Sequence, residues 1–356
     1  MNILLACDCA ASQNGNPFTF ELFKSLTAQP TDHRFEFGPE KIFCSDVRFD
    51  LIHVHWPEAL CDWKIPTKDQ INRIRSALNH RKAAGTKIVI TIHNEIPHGR
   101  DLQIDDDLYR SALSISDGVI HLGERSKEII AARYGNSVSL KLSTVIPHGD
   151  YLEFPNNTTQ KEARAELRIP QEKQVILSFG RIRTMEEYEL LINGFNYAPI
   201  ENSILVQAGR LPAVSRKSLR YVTRFFPFLE RNKRLFNGPI PSDRVQLFLN
   251  AADILLILRN RSLNSGNVSL GFTFRKPVVG PRVGVIGEYL EKTGNPTYEP
   301  FNYASMNSAL REGLEAVDSG IGETNFQHLQ TEMNWNTIAT QHIRFYEAVT
   351  GSPKTD

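Results

Sequence analysis

The 356-residue chain is poor in cysteine, has no excess of charge of either sign, and lacks any long apolar run. Its four cysteines, Cys7, Cys9, Cys44 and Cys61, all precede residue 62 and show no Cys-x-x-Cys spacing. That argues against a zinc ribbon or a redox pair and for buried thiols in a reducing compartment. Forty-one Lys and Arg against forty Asp and Glu leave a net charge of +1. No overall field recruits nucleic acid or an anionic membrane, so any basic patch must be local. No stretch approaches the ~18 to 20 apolar residues of a membrane span, and the opening MNILLACDCAA lacks the basic flank and length of a signal peptide. The expected location is the cytoplasm. None of the expected strands ends in an Asp-x-Asp motif, and Asp105 to Asp107 in IDDDLY read as the N-terminal cap of a helix. No metal is expected.

What the sequence does have is a recurring pattern: short unbroken apolar runs ending in Gly, Pro, His or Asn, separated by amphipathic stretches. That pattern belongs to parallel strands alternating with helices, hence an α/β protein. Strands are expected at NILLACD, DLIHVHW, KIVITIHN, GVIHLG and STVIPHG in the first half, and at QVILSFG, SILVQAG, DILLILR and KPVVGP in the second. Two sheets follow, with the linker inside the polar segment Tyr151 to Lys173 and a boundary near Asn156. The expected division is a first domain over 1–156, a second over 157–332, and a closing helix within 333–356 carrying Trp335, Ile338, Ile343, Phe345 and Val349 at roughly helical spacing.

Eight of the ten histidines precede residue 149, and four of them terminate expected strands: His55, His93, His121 and His148. In an open parallel sheet the ligand crevice lies outside the carboxyl ends of the strands, so these side chains converge on one edge. A single histidine at a strand end is ordinarily structural; the repetition is what argues for a site. A zinc pair at His53-x-His55 lacks an acidic or thiolate partner at matching spacing. In TIHNEIPHG, His93, Glu95 and His98 follow a strand closely and are candidate general bases, with Glu58 of HWPE as an alternative.

The second half begins with a buried strand, then Gly180-Arg181, then an amphipathic helix with Leu190, Leu191 and Phe195 on its inner side. A guanidinium at a strand end suits a diphosphate, because its planar donor fork matches phosphate oxygens. The alternative is a surface arginine paired with Glu186 or Glu187. In LNSGNVSLGFTFRKPVVGP, Ser265, Gly266 and Asn267 are expected to open a short helix through Phe274, whose exposed amides would also favour a phosphate. A plain loop capped by serine is the other reading.

Taken in order, NPFTFELFKSL, DLIHVHWPE, TIHNEIPH, VIPHGDY, FGRIRTMEEYELLINGF, IPSDRVQLFLNAADILLILR, LNSGNVSLGFTFRKPVVGPRVGVIGEYL and the Trp-containing last helix resemble the GT-B glycosyltransferases, specifically the family 4-like group. The resemblance implies two Rossmann-like domains facing a central cleft, the second binding a nucleotide sugar and the first an acceptor, with the last helix crossing back to the first domain. It implies transfer of a sugar, a hexose from a GDP- or UDP-sugar, to a saccharide or lipid-linked saccharide in surface polysaccharide synthesis. The alternatives are a catalytically silent sugar-binding or scaffold relative, and a nucleotide-sugar epimerase. By the same resemblance, Gly180, Arg181, Arg183, Asn264, Ser265, Gly266, Asn267 and Glu288 fall on the donor side, and Asn16, His55, Glu58, His121 and His148 on the acceptor side. The donor is substrate, and no cofactor is implied.

Two positions depart from the family pattern. The paired glutamates of the family's donor turn are Ser262 and Leu270 here, although a subset carries the Asn-Ser-Gly turn that Asn264 to Gly266 match. The lysine usual five residues after the strand-end arginine is Glu186, which leaves Arg183 or Lys276 to restore the charge. Without the glutamates, inversion of configuration with one base is mildly favoured. Finally, Ser215 to Phe236 holds seven Lys or Arg with Phe225, Phe226 and Phe228. It suits either peripheral contact with the inner face of the membrane or a solvated helix, and nucleic acid is not an expected partner.

Overall fold

A computed structural model of the chain describes residues 1–9, 17–44, 46–97, 102–212 and 232–351, apart from the side chain of Asn136. The chain divides into two compact units, Met1–Gly149 with Glu332–Asp356, and Asp150–Thr331. Each is an α/β layer structure around one parallel sheet of six strands.

In the first unit the strands are β1 (Asn2–Leu5), β2 (Arg34–Phe37), β3 (Leu51–Val54), β4 (Lys87–Ile92), β5 (Gly118–His121) and β6 (Leu142–Val145). Their order is β2-β1-β3-β4-β5-β6. The central strands are almost wholly buried, as strands covered on both faces must be. The helix Trp335–Thr350 belongs to this unit: Trp335, Ile338, Ile343, Phe345 and Tyr346 join the core that Ile3, Leu5, Phe18 and Leu51 build, with Val349 packed beside it. Gly149 makes room for Trp335, since a Cβ there would stand 2.2 Å from the indole ring.

The second unit holds β7 (Gln174–Phe179), β8 (Ser203–Ala208), β9 (Lys233–Phe236), β10 (Ile254–Leu256), β11 (Val278–Pro281) and β12 (Thr297–Tyr298). Their order is β12-β11-β10-β7-β8-β9. Leu190, Leu191 and Phe195 of the helix Met185–Asn196 are buried in the core of this sheet, as the spacing predicts. Asn157 and Thr158 donate their amides to Gln246 Oε1, and Asn250 bonds Asn156, so the segment around Asn156 is fastened to the second unit.

Three strands were not expected from the sequence, and all are edge strands: β2 (RFEF), β9 (KRLF) and β12 (TY). Each has one strand neighbour; β2 and β9 are at most partly covered and β12 is two residues long, so no apolar run marks them. β9 also corrects the reading of Ser215 to Phe236 as one surface segment, because Lys233–Phe236 pair in parallel with β8. Residues 215–231, with the three phenylalanines, lie outside the described residues. Asp105 to Asp107 correct another expectation. They stand within the helix Gln103–Ile115, whose N-cap is Leu102, and Asp106 pairs with Arg110 and Arg133. Among the described residues no helix is long and apolar enough to cross a membrane.

Candidate functional site

An open parallel sheet binds ligands where the strand order reverses, outside the carboxyl ends of the two strands that flank the reversal. In the second unit those strands are β7 and β10. The chain leaving β7 is Gly180 to Thr184, and the chain leaving β10 is Ile257 to Ser262. Gly180 takes φ +96°, and Gly209, at the end of β8, takes φ +140° with its Cα packed on the Gly180 carbonyl. A Cβ on Gly209 would lie 2.1 Å from that oxygen, so only glycine allows these strand ends to approach.

Three guanidiniums gather at this edge. Arg181 is exposed, and its carbonyl accepts from Arg259 Nη2 at 2.6 Å. Arg259 Nη1 also meets Glu187 Oε2 at 2.7 Å in a nearly buried ion pair. The same Glu187 oxygen accepts the Arg183 backbone N–H at 2.7 Å. Arg183 Nη1 donates to Ser262 Oγ at 3.3 Å, so a hydroxyl bonds Arg183 at the position of the family's first donor-site glutamate. Burial, then the nearby Arg259, pushes Arg183 down to about 9, against a smaller upward pull from Glu187 and a further push down from Arg181. Burial is the main cause, and the crowding of like charge from Arg259 and Arg181 adds to it. Buried amides add to the polar lining: among the described residues, Asn260 Nδ2 and Oδ1 and Gln207 Oε1 meet no protein partner, while Gln207 Nε2 holds the Gly180 carbonyl at 3.0 Å.

The sequence missed Arg259, although its signal, an arginine ending the run DILLILR, matches the one that marked Arg181. The two candidates for the charge lost at Glu186 separate clearly. Lys276 is half-buried at the amino end of β11 with Nζ on the Ala252 carbonyl, 2.8 Å away, whereas Arg183 follows the carboxyl end of β7. Glu186 itself is exposed and pairs with Arg261 at 3.3 Å.

The turn at Asn264 to Asn267 is more self-contained than expected. The Asn267 N–H goes to Ser265 Oγ and the Val268 N–H to the Ser265 carbonyl, so two amides at this helix start are engaged within the turn. Asn267 Nδ2 donates to the Phe179 carbonyl at 2.8 Å, fastening the helix Asn267–Thr273 to the end of β7. Gly266 has an ordinary φ of −60°. Asn264 is half-buried, and Glu288 is half-buried on the helix Gly284–Lys292 that follows β11.

In the first unit the strand order reverses between β1 and β3. His55 follows β3, His93 follows β4, and His55 Nδ1 lies 3.1 Å from His93 Nε2. Trp56 stacks on His93, with centroids 3.9 Å apart and planes 20° apart. Phe18 sets its edge against His93 at 4.8 Å and also touches His55 and His148. Behind them His53 bridges Tyr346 of the closing helix and Thr91 of β4, each at 2.7 Å. Burial lowers all of these imidazoles that show a shift: His55 to about 3, His148 and His342 to about 4, and His53 well below its ordinary value.

Of the other candidates, His121 bonds Ser126 in its own strand-to-helix turn, and burial lowers it to about 4. Glu95 is ion-paired with Arg133 at 2.8 Å, which occupies the carboxylate as a base. Glu58 is buried and accepts from Tyr109 at 2.7 Å and Asn94 at 3.5 Å. Asn16 and His98 lie outside the described residues.

No protein-family model matches this sequence, and no curated protein does. Solved structures do match the fold. Sucrose-phosphate synthase from Thermosynechococcus elongatus has a TM-score of 0.74 at 15% identity, covering 99% of each chain. Anabaena HepE in complex with UDP and glucose reaches 0.69 at 15% identity, over 98% of this chain and 100% of that one. A Rickettsia africae glycosyltransferase reaches 0.65 at 14% identity, over 96% and 84%. Together with two six-stranded parallel sheets, these similarities show a GT-B fold.

Proposed function

We propose that the chain is a glycosyltransferase that moves a sugar from a nucleoside-diphosphate donor to a saccharide acceptor, with the donor held by the second unit. The observation that carries this reading is the cluster of Arg181, Arg183 and Arg259 at the strand-order reversal of the second sheet, with Glu187 as the buried carboxylate among them. Arg181 and Arg183 would take the diphosphate and stabilise the negative charge that grows on it as the sugar–oxygen bond breaks. Arg259 is a positioning residue: it fixes the Arg181 carbonyl and the Glu187 carboxylate, and through Glu187 the backbone of Arg183. The UDP and glucose bound by the HepE structure support a UDP-hexose as first choice of donor.

On the acceptor side, His93 is the preferred base. If its Nε2 carries the proton shared with His55, its Nδ1 keeps the lone pair that an attacking hydroxyl needs, and the charge it gains is eased by His55. The acceptor would be a saccharide or lipid-linked saccharide of surface polysaccharide synthesis. Calorimetric titration with UDP, GDP, ADP and dTDP, each beside an Arg181→Ala variant, tests the donor site. Selective binding of one nucleotide that weakens in the variant supports it; binding of none would remove the basis for the transferase reading.

A further inference from the structure

Trp63 is hard to explain by folding alone. It lies in the loop after the short 3-10 helix Pro57–Cys61 that follows β3, and its side chain is 59% exposed. Asp62 and Trp63 both adopt left-handed backbone angles, with φ 53° and 62°. Such a conformation is costly for a bulky residue, and an indole that stays mostly in water returns little by burial. The loop is nevertheless fixed: the amides of Asp62, Trp63 and Lys64 donate to the carbonyls of Ala59, Glu58 and Cys61 at 3.0 to 3.2 Å. The exposed ring is thus presented on a pinned backbone.

It is presented beside another ring. The Trp63 and Trp56 centroids are 5.7 Å apart with planes at 52°, so the two indoles make an angled corner. Trp56 in turn stacks on His93. Polar groups flank the corner: Asp62 and Lys64 are both strongly exposed and lie 3.9 Å apart.

We infer that Trp63 and Trp56 form a saccharide-binding platform, on which a neutral pyranose ring stacks at the carboxyl edge of the first sheet. The chemistry fits at three points. The C–H face of a pyranose carries slight positive charge and meets the negative face of an indole ring. A carboxylate and an ammonium beside the ring offer an acceptor and a donor to its hydroxyls. Their charges cancel, which removes the local positive field that an anionic bilayer would require. The platform deepens the transferase reading by placing the acceptor saccharide next to His93, yet its test needs no donor.

A glycan array probed with the whole chain and with Trp63→Ala, followed by fluorescence titration of the best-retained glycan, decides the matter. The expected result is retention of a neutral oligosaccharide, weakened tenfold or more in Trp63→Ala and kept within about threefold in Trp63→Phe. Trp63→Gly, which relaxes the left-handed backbone while removing the ring, serves if the alanine variant folds poorly. No retained glycan, or retention indifferent to Trp63, overturns the inference. So does Trp63-dependent binding to phosphatidylglycerol vesicles without saccharide binding. Nucleotide binding remains the separate measure of the transferase reading, so either can fail alone.

Discussion

Two neighbouring residues, Arg183 and Glu186, show why position outweighs residue type here. In sequence, a glutamate at 186 looks damaging to a phosphate grip. In the folded chain it is exposed and paired with Arg261, while Arg183 sits half-buried against Ser262 beside Arg259. Removing one charge-assisted contact costs about 1.5 to 3 kcal/mol, so Arg183→Ala should weaken nucleoside-diphosphate binding roughly ten- to a hundredfold. Glu186→Ala should change it less than threefold by the same titration. A large gain from Glu186→Ala would mean that the carboxylate does reach the phosphates. Arg259 makes a different prediction, because Arg259→Ala leaves Glu187 buried without its cation. Breaking such a pair costs about 3 to 5 kcal/mol, which chemical denaturation should register in the second unit. Equal stability of the variant would show that the pair is not buried in solution.

At the scale of strands and helices, β3, β5, the segment after β6 and the closing helix bring histidines into an apolar core. His53, His55, His121, His148 and His342 are all held neutral by burial. Unfolded, each would take up a proton below its ordinary value near 6.5, so the stability they support is whole above that pH and is lost as pH falls. The loss is about 1.4 kcal/mol per pH unit for each histidine once the unfolded chain is protonated. Scanning calorimetry from pH 8 to 5 should therefore show a steep fall in the melting of the first unit beginning below pH 6.5. A flat profile would place these imidazoles in water. The closing helix has its own test. Gly149→Ala drives a methyl into the Trp335 ring, and overpacking of that kind costs about 1 to 3 kcal/mol, read as a lower melting midpoint.

For the whole molecule, the interior was legible in the sequence, and of the four edge strands only β6, in STVIPHG, was. Buried parallel strands such as KIVITI and QVILSF announce themselves as apolar runs because both faces are covered. RFEF and KRLF do not, because each has one strand neighbour and limited cover, and TY is only two residues long. The same divide runs through the site. Arg181, Arg183 and the strand-end histidines could be found because a strand end fixes where a side chain stands. Arg259 was passed over although it ends the run DILLILR, because its bond to the Arg181 carbonyl joins segments distant in sequence, and the local bonding within the Ser265 turn follows from backbone geometry that residue types alone do not fix. Strand order carries the rest: the reversal between β7 and β10 brings residues about eighty apart to one edge.

The most direct test of this account is a crystal structure of the chain with the nucleoside diphosphate it binds best. The account predicts the diphosphate outside β7 and β10, with phosphate oxygens within hydrogen-bonding distance of the Arg181 and Arg183 guanidiniums and Arg259 still on Glu187. A nucleotide bound elsewhere, or phosphates held by the Ser265 turn with both arginines turned away, would contradict it.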